Sequence, residues 1–250
     1  MKFLVIIPSR YGSSRFPGKP LAKLGGLEII LRVCSQVEKT EIPFIVATDN
    51  DKIAVLVQSN GYKVVMTGSH HQSGTDRVAE AYELSDFEVD VIINVQGDEP
   101  FVSPDLIQQL CEVFKNEKDV DIATLISPYN GNFNELQNPN LIKVVISDSN
   151  RALYFSRSVV PFLRNIKEDQ WPFHHQFYTH IGIYAFRIDI LKNIVRLKKS
   201  SLEEAECLEQ LRWLQNGYNI KTVVSDYQSI GIDTPEDLIK AEKYLKDKDI

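Results

Sequence analysis

The stretch F-L-V-I-I-P-S-R-Y-G-S-S-R-F-P-G-K-P-L, residues 3–21, decides the fold. Phe3 to Ile7 is apolar at consecutive positions, so a strand there buries both faces, as strands inside parallel sheets do. Pro8 ends the run, and a loop carrying Gly12, Gly18, Arg10, Arg15 and Lys19 follows at once. The alternation continues downstream. Phe44–Ala47, Lys63–Met66, Val89–Val95 and Asp121–Leu125 read as strands; Leu27–Glu38, Asp51–Ser59, Thr75–Glu83 and Pro104–Lys115 read as helices. Ser103 supplies an N-cap to the last of these, with Pro104 at the first helical position. Apolar strands separated by amphipathic helices place the chain in the α/β class, with a Rossmann-like, mostly parallel sheet and helices on both faces.

The rhythm changes after about residue 127. Ile142–Ser147 and Arg151–Phe155 flank Asp148-Ser149-Asn150, a hairpin turn. The aromatic and histidine-rich stretch Trp171–His180 precedes a strand at Ile181–Phe186. A helix over Ser201–Gln215, opened by the capping box S-L-E-E, a strand at Lys221–Val224 and a helix from Pro235 complete the chain. With no internal repeat or low-complexity linker, residues 1–250 read as one domain with an added smaller lobe over about 128–188. Trp171, Phe173, Phe177 and Tyr178 in that lobe form either a subunit interface or its internal packing.

Composition bounds the function. The 250 residues carry a net charge of −6, which disfavours nucleic acid as a partner. A local cationic loop can still hold a small anion against that net charge. Phe3–Ile7 is too short for a signal-peptide core, and no stretch approaches the roughly 20 apolar residues of a membrane span. The three cysteines, Cys34, Cys111 and Cys207, form neither a C-x-x-C pair nor a disulfide framework. The expectation is a cytoplasmic protein without membrane insertion.

Three segments carry chemistry. The loop at residues 8–21 is neither a Walker A loop nor a G-x-G-x-x-G fingerprint. Its spacing from Gly12 to Gly18 is too long, and Pro20 stands where Walker A needs Ser or Thr. Its glycines and three cations at the end of a first parallel strand favour a triphosphate over a merely solvated basic loop. V-I-I-N-V-Q-G-D-E-P, residues 91–100, delivers Gln96, Gly97, Asp98 and Glu99 to the same sheet edge. S-I-G-I-D-T-P-E-D-L, residues 229–238, places Asp233 before a complete helix start, so alone it reads as a turn residue. Taken together, two isolated aspartates facing a phosphate loop match the needs of magnesium, which is held by one or two carboxylates plus substrate phosphates. The trio His174, His175 and His180 lacks a metal spacing, which argues against zinc. No G-x-S-x-G or Cys/His nucleophile signature occurs.

With these motifs in place, the chain resembles the 3-deoxy-manno-octulosonate (Kdo) cytidylyltransferases, the CMP-Kdo synthetases of lipopolysaccharide biosynthesis. The likeness covers nearly the whole chain. It runs through S-S-R-F-P-G-K-P-L, V-A-T-D (46–49), H-Q-S-G-T-D-R (71–77), N-V-Q-G-D-E-P (94–100), N-P-N-x-x-K-V-V (138–145), A-L-Y-F-S-R (152–157), H-I-G-I-Y (180–184), L-E-Q-L-R (208–212) and G-I-D-T-P-E-D-L. Ser9 stands where the family commonly has Ala. The resemblance implies a nucleotidyltransferase that converts CTP and Kdo to CMP-Kdo and diphosphate with Mg2+. It implies triphosphate binding by Arg10, Ser13 and Lys19 with help from Arg15, and places Ser73, Gly74 and Arg77 near the cytidine or its phosphates. Asp98 and Asp233 become the metal ligands, with Lys19 beside them in catalysis. Gln96, Arg157, His180, Tyr184, Glu209 and Gln210 become the sugar pocket, and the middle lobe a homodimer contact. Another sugar nucleotidyltransferase and a non-catalytic nucleotide-binding regulator are the rival readings. Retention of both aspartates disfavours the regulator.

Overall fold

Burial of the first strand on both faces sets the topology of everything around it. The computed structural model describes residues 1–12, 15–71, 73–227 and 231–248, so Ser13 lies outside the described residues. Contacts divide the chain into two compact units, Met1–Gln108 with Ser229–Ile250, and Gln109–Gln228.

The first unit opens with β1 (Phe3–Ser9), β2 (Lys23–Leu24), β3 (Leu27–Glu28), α1 (Ile29–Glu38), β4 (Phe44–Thr48) and α2 (Asp51–Ser59). β5 (Val64–Met66), α3 (Gly74–Glu83) and β6 (Val91–Asn94) follow, and the boundary at Gln108 falls within α4 (Pro104–Asn116). β1 pairs in parallel with β4 on one side and β6 on the other, and β4 pairs in parallel with β5. Leu4, Val5, Ile6 and Ile7 are all fully buried. At about 1.5–3 kcal/mol for each large aliphatic side chain, this strand is a major apolar anchor of the unit. The path across the sheet reverses between β5 and β6, so right-handed crossovers put α1 and α2 on one face and α3 on the other. The carboxyl ends of β1 and β6 therefore open side by side, where such sheets bind ligands.

The expected helix from Leu27 begins two residues late. Gly25 (φ 57°) and Gly26 (φ 82°) both adopt left-handed conformations, turning the chain into a β2–β3 ribbon that pairs Leu24 with Leu27. Two consecutive positive-φ glycines are the signature of a tight hairpin, and they capture Leu27 and Glu28 before α1 starts.

The second unit contains β7 (Ile122–Pro128), α5 (Phe133–Leu136), β8 (Lys143–Ile146), β9 (Ala152–Ser156), α6 (Trp171–His174) and β10 (Tyr178–Arg187). α7 (Ile188–Ile194), α8 (Ser201–Glu206), α9 (Gln210–Gln215) and β11 (Ile220–Val224) complete it. β7 pairs in parallel with β11 and antiparallel with β10, which pairs antiparallel with β8; the β8–β9 hairpin closes at Asn150, φ 55°. β10 is longer than its apolar stretch at 181–186 indicates, because Tyr178–His180 also pair with β7. α10 (Pro235–Lys248) belongs to the first unit, where Ala241 and Leu245 pack with Leu24, Ile29 and Ile232.

The helix read over Ser201–Gln215 is two helices. Its capping box is Ser200 with Glu203, one residue earlier than the S-L-E-E reading, and α8 ends at Cys207 in a left-handed conformation, φ 51°. No glycine announces this break. The carbonyls exposed at the end of α8 are taken instead by the Arg157 guanidinium, which donates to Glu206 O at 2.6 Å and Cys207 O at 3.3 Å. The aromatic cluster also divides. Trp171 and Phe177 are buried with Phe133 and Leu136, whereas Phe173 (81% exposed) and Phe162 (73%) face outward. Among the described residues, no helix is long and apolar enough to cross a membrane.

A fully buried lysine holds the start of the β8–β9 hairpin. Lys143 Nζ donates to Asn138 O (3.1 Å), Leu141 O (2.6 Å) and Arg157 O (2.5 Å). Burial pushes its pKa down to about 8, a trend that the Glu206 carboxylate opposes. Lys143→Met keeps the length of the side chain but leaves three carbonyls without this donor. It is expected to lower unfolding stability by about 1–3 kcal/mol, read by urea denaturation at neutral pH; an unchanged midpoint contradicts the clamp.

Candidate active site

The loop after β1 is shaped by Gly18, whose left-handed conformation (φ 73°) caps a short 3-10 turn at Lys19–Leu21. Tyr11 packs over Gly18, so a Cβ there would meet its ring at 3.3 Å. The turn drives the stem of Lys19 inward, and the residue is only 8% exposed. Its ammonium reaches Asp98 Oδ2 at 2.5 Å and Asp233 Oδ1 at 3.2 Å, while Arg15 Nη2 lies 3.3 Å from Asp233 Oδ2. Asp98 arrives from β6. Asp233 is brought beside it by a backbone tie, Ile232 N–H donating to Asp98 O at 3.1 Å. The helix signature read at residues 234–237 is also real. Thr234 Oγ1 accepts from Asp237 N, and Asp237 Oδ2 accepts from Thr234 N at 3.1 Å. Asp233 precedes that cap, so its carboxylate is free to face Lys19.

The other wall is the start of α3. Ser73 is its N-cap and accepts from Asp76 N at 3.1 Å. Gly74 abuts Gln96 and Pro8, at 3.3 and 3.5 Å from where a Cβ would stand; a Cβ at Gly97 would sit 2.9 Å from Pro8 O. Glycine at 97 is therefore what lets the β6 loop close against β1. Arg77, 3% exposed, donates to Asp49 Oδ2 (2.8 Å) and Thr67 Oγ1 (2.6 Å), which follow β4 and β5. This buried pair locks the first turn of α3 to the sheet. His71 Nε2 lies 2.5 Å from Glu80 Oε2, which also accepts from Gly68 N–H. Burial pushes the Glu80 carboxyl up, but the His71 and Gly68 hydrogen bonds outweigh it and hold it below the usual carboxylate range.

A cleft of about 200 Å³ gathers these groups: Arg10, Arg15, Lys19, Ser73, Gly74, Arg77, Gln96, Asp98 and Asp233 all line it. Four Arg or Lys side chains line it against two aspartates, so the cleft is cationic in a chain whose net charge is −6. Cationic, backbone-rich clefts at a sheet switch point are the kind of place where such folds bind phosphates.

Asp98 and Asp233, both touched by one ammonium, form an oxygen-only donor set of the kind that suits magnesium when phosphates supply further ligands. No group of three or more His, Cys, Asp or Glu able to hold a metal by itself occurs among the described residues.

The remaining predicted residues lie in the second unit, and three of them cluster. The His180 and Tyr184 rings are 5.1 Å apart, and burial, reinforced by the Glu209 carboxylate, pushes the Tyr184 hydroxyl well above its ordinary pKa. Burial holds the His180 pKa near 3, so the ring is neutral. Thr124 Oγ1 donates its single proton to Ile183 O at 2.8 Å and therefore accepts from His180 Nε2–H at 2.9 Å. That assigns the tautomer and leaves Nδ1 as an acceptor. Glu209 is held by Arg212 at 3.2 Å, and Arg212 also pairs with Glu203 at 3.2 Å. Gln210 is buried in the first turn of α9. Arg157 spends its donors on the carbonyls of Pro139, Glu206 and Cys207.

Sequence reasoning quoted Asp49 and Arg212 within V-A-T-D and L-E-Q-L-R without giving them roles. An aspartate at the carboxyl end of a buried strand was the available signal for Asp49.

The comparisons agree with the geometry. The cytidylyltransferase family model matches residues 4–223. A 3-deoxy-manno-octulosonate cytidylyltransferase of Phocaeicola vulgatus is 49% identical over 100% of this chain and 99% of that protein; one of Bacteroides thetaiotaomicron is 50% identical over 99% and 100%. A solved CMP:2-keto-3-deoxy-manno-octonic acid synthetase complexed with CTP superposes with a TM-score of 0.91 at 36% identity, covering 99% of this chain and 100% of that one. A Bacillus anthracis glucose-1-phosphate thymidylyltransferase structure, 15% identical with a TM-score of 0.67, shares the fold alone. The chain thus belongs to the 3-deoxy-manno-octulosonate cytidylyltransferase family.

Proposed function

We propose that the protein transfers CMP from CTP to 3-deoxy-D-manno-octulosonate, releasing diphosphate, in the activation of that sugar for lipopolysaccharide synthesis. The observation that carries the reading is the Lys19 ammonium held between Asp98 and Asp233 on the floor of a cationic cleft. Arg10, Arg15 and Lys19, with the N-terminus of α3, hold the triphosphate. Asp98 and Asp233 would hold a divalent cation, magnesium by their oxygen chemistry. Such an ion neutralises charge on the α-phosphate and the departing diphosphate. Once the triphosphate is bound, its oxygens give Lys19 alternative acceptors and release the carboxylates.

The nucleophile is the anomeric hydroxyl of the sugar, so the protein needs no nucleophile of its own. Its oxygen forms a bond to the α-phosphorus as the bond from that phosphorus to the bridging oxygen breaks. The electron pair leaves with diphosphate, and the hydroxyl proton passes to water. We assign sugar binding to Gln96, Arg157, His180, Tyr184, Glu209 and Gln210. Neutral His180 suits a hydroxyl partner through Nδ1 rather than a carboxylate counter-ion. For Arg157 to fork a sugar carboxylate, its guanidinium must give up part of its hold on the Pro139, Glu206 and Cys207 carbonyls.

A homodimer is the assembly we propose, with outward-facing Phe162 and Phe173 in its contact. Sedimentation at micromolar concentration should show a dimer that Phe162→Ser with Phe173→Ser weakens; a wild-type monomer overturns it.

Diphosphate release on mixing CTP, the sugar and magnesium tests the reaction. Comparable release from ATP, or release only with an amino-substituted sugar, contradicts the substrates named. Asp98→Asn and Asp233→Asn should each lower turnover about 10²–10³-fold, or roughly 3–4 kcal/mol at the transition state, without a loss of fold. The double variant should fall little further, because the two carboxylates act as one unit. Normal turnover in Asp233→Asn would reduce that residue to a turn former.

A further inference from the structure

His71 lines the cleft, yet it belongs neither to the cationic loop nor to the carboxylate pair. It stands two residues before Ser73, the N-cap of α3, and its ring is held from that same helix. Glu80 Oε2 lies 2.5 Å from His71 Nε2 and also accepts from Gly68 N–H at 2.7 Å. Burial raises the Glu80 carboxyl, but these bonds outweigh it, so the group is an ionised acceptor. His71 Nε2 therefore carries a proton. The other ring nitrogen, Nδ1, is then an acceptor in the neutral ring and a donor in the imidazolium. Nδ1 has no hydrogen-bond partner among the described residues. The closed-off side-chain atoms in that condition are on Ser9, Gln109, Tyr184, Arg212 and Trp213, so Nδ1 is open to a ligand.

The charges around the ring decide what that nitrogen suits. Glu80 faces it from α3, and the His70 ring lies 4.5 Å away. Arg10, Arg15, Lys19 and Arg77 share the cleft with it, where Asp98 and Asp233 are engaged by Lys19 and Arg15. Those four cations oppose a further positive charge on His71, and Glu80 favours one. A polyphosphate in the cleft supplies the missing negative charge, and the balance then tips to the imidazolium. We infer that His71 is a phosphate-binding group of this cleft, donating Nδ1–H to the bound triphosphate, with Glu80 as the positioning residue behind it. This rests on the reading of the cleft as the CTP site. It adds a contact from the α3 side, and it couples nucleotide binding to the uptake of a proton.

His71→Gln is the sharpest variant, because a glutamine amide keeps a donor for Glu80 where Nε2 stands and removes Nδ1. Calorimetric titration of CTP and of inorganic triphosphate, both with magnesium, into wild type and variant is the measurement. A hydrogen bond to a charged group corresponds to about ten- to hundredfold in affinity. That loss is expected for both ligands, and Glu80→Gln, which keeps an acceptor but not the charge, should show part of it. At mildly alkaline pH the wild type should take up more protons on binding CTP than either variant does, read from the dependence of the enthalpy on the buffer. A merely structural tie between His71 and Glu80 would leave proton uptake the same in all three proteins. If His71→Gln lowers the melting temperature, Glu80→Gln carries the test through the same readouts. Unchanged affinities overturn the inference, as does a loss confined to CTP, which would place His71 at the nucleoside. A loss with equal proton uptake overturns it as well. Failure of the wild-type protein to bind CTP contradicts the function proposed above instead, so the two failures are distinct.

Discussion

The site depends on one ammonium group. Two carboxylates side by side repel, and at short range in a partly buried setting that repulsion is strong. Asp98 and Asp233 coexist because Lys19 lies between them and Arg15 flanks the second. Each geometric device near them serves that meeting. Gly18 turns the loop so that the stem of Lys19 runs inward, Gly97 lets the β6 loop close on Pro8, and the Ile232–Asp98 backbone bond delivers Asp233 from the far end of the sequence. The result is an arrangement balanced without ligand. On the function proposed, a polyphosphate would give Lys19 and Arg15 new anionic partners, and the carboxylates would then be donors for a metal.

The second unit uses its cations differently. Lys143 and Arg157 spend their donors on backbone carbonyls, and between them they hold residues 138–141, the end of β9 and the end of α8. A charged group that satisfies several carbonyls can replace a glycine cap, which explains how α8 stops at a left-handed cysteine. Arg212 acts alike on side chains, fixing Glu209 by pairing with it and with Glu203. Glu209 in turn approaches the buried Tyr184 hydroxyl beside neutral His180.

The parts legible in the sequence were those with local causes. Consecutive apolar residues at 3–7 and 91–93 announced β1 and β6, and glycines among cations announced the loop between strand and helix. Asp98 and Asp233 emerged as a pair because magnesium needs few protein carboxylates, not because either segment is decisive. Thr234–Asp237 shows how a correct bland reading and a functional one can share a segment: the cap forms, and the residue before it points elsewhere. The illegible parts were long-range. The break at Cys207 is stabilised by an arginine fifty positions away. The Arg77–Asp49 pair joins residues separated by 28 positions, and nothing in V-A-T-D names its partner. Which of the aromatics at 171–178 are buried was not legible, because the packing partners of Trp171 and Phe177, Phe133 and Leu136, lie in a short helix without a strong pattern.

The most direct test of the shared carboxylate site is a crystal of the protein with manganese and a non-hydrolysable CTP analogue, with the metal located by anomalous scattering. The account predicts one peak ligated by both Asp98 and Asp233, and the Lys19 ammonium moved from the carboxylates onto phosphate oxygens. A metal bound by phosphates and Asp98 alone, with Lys19 still joined to Asp233, would contradict it.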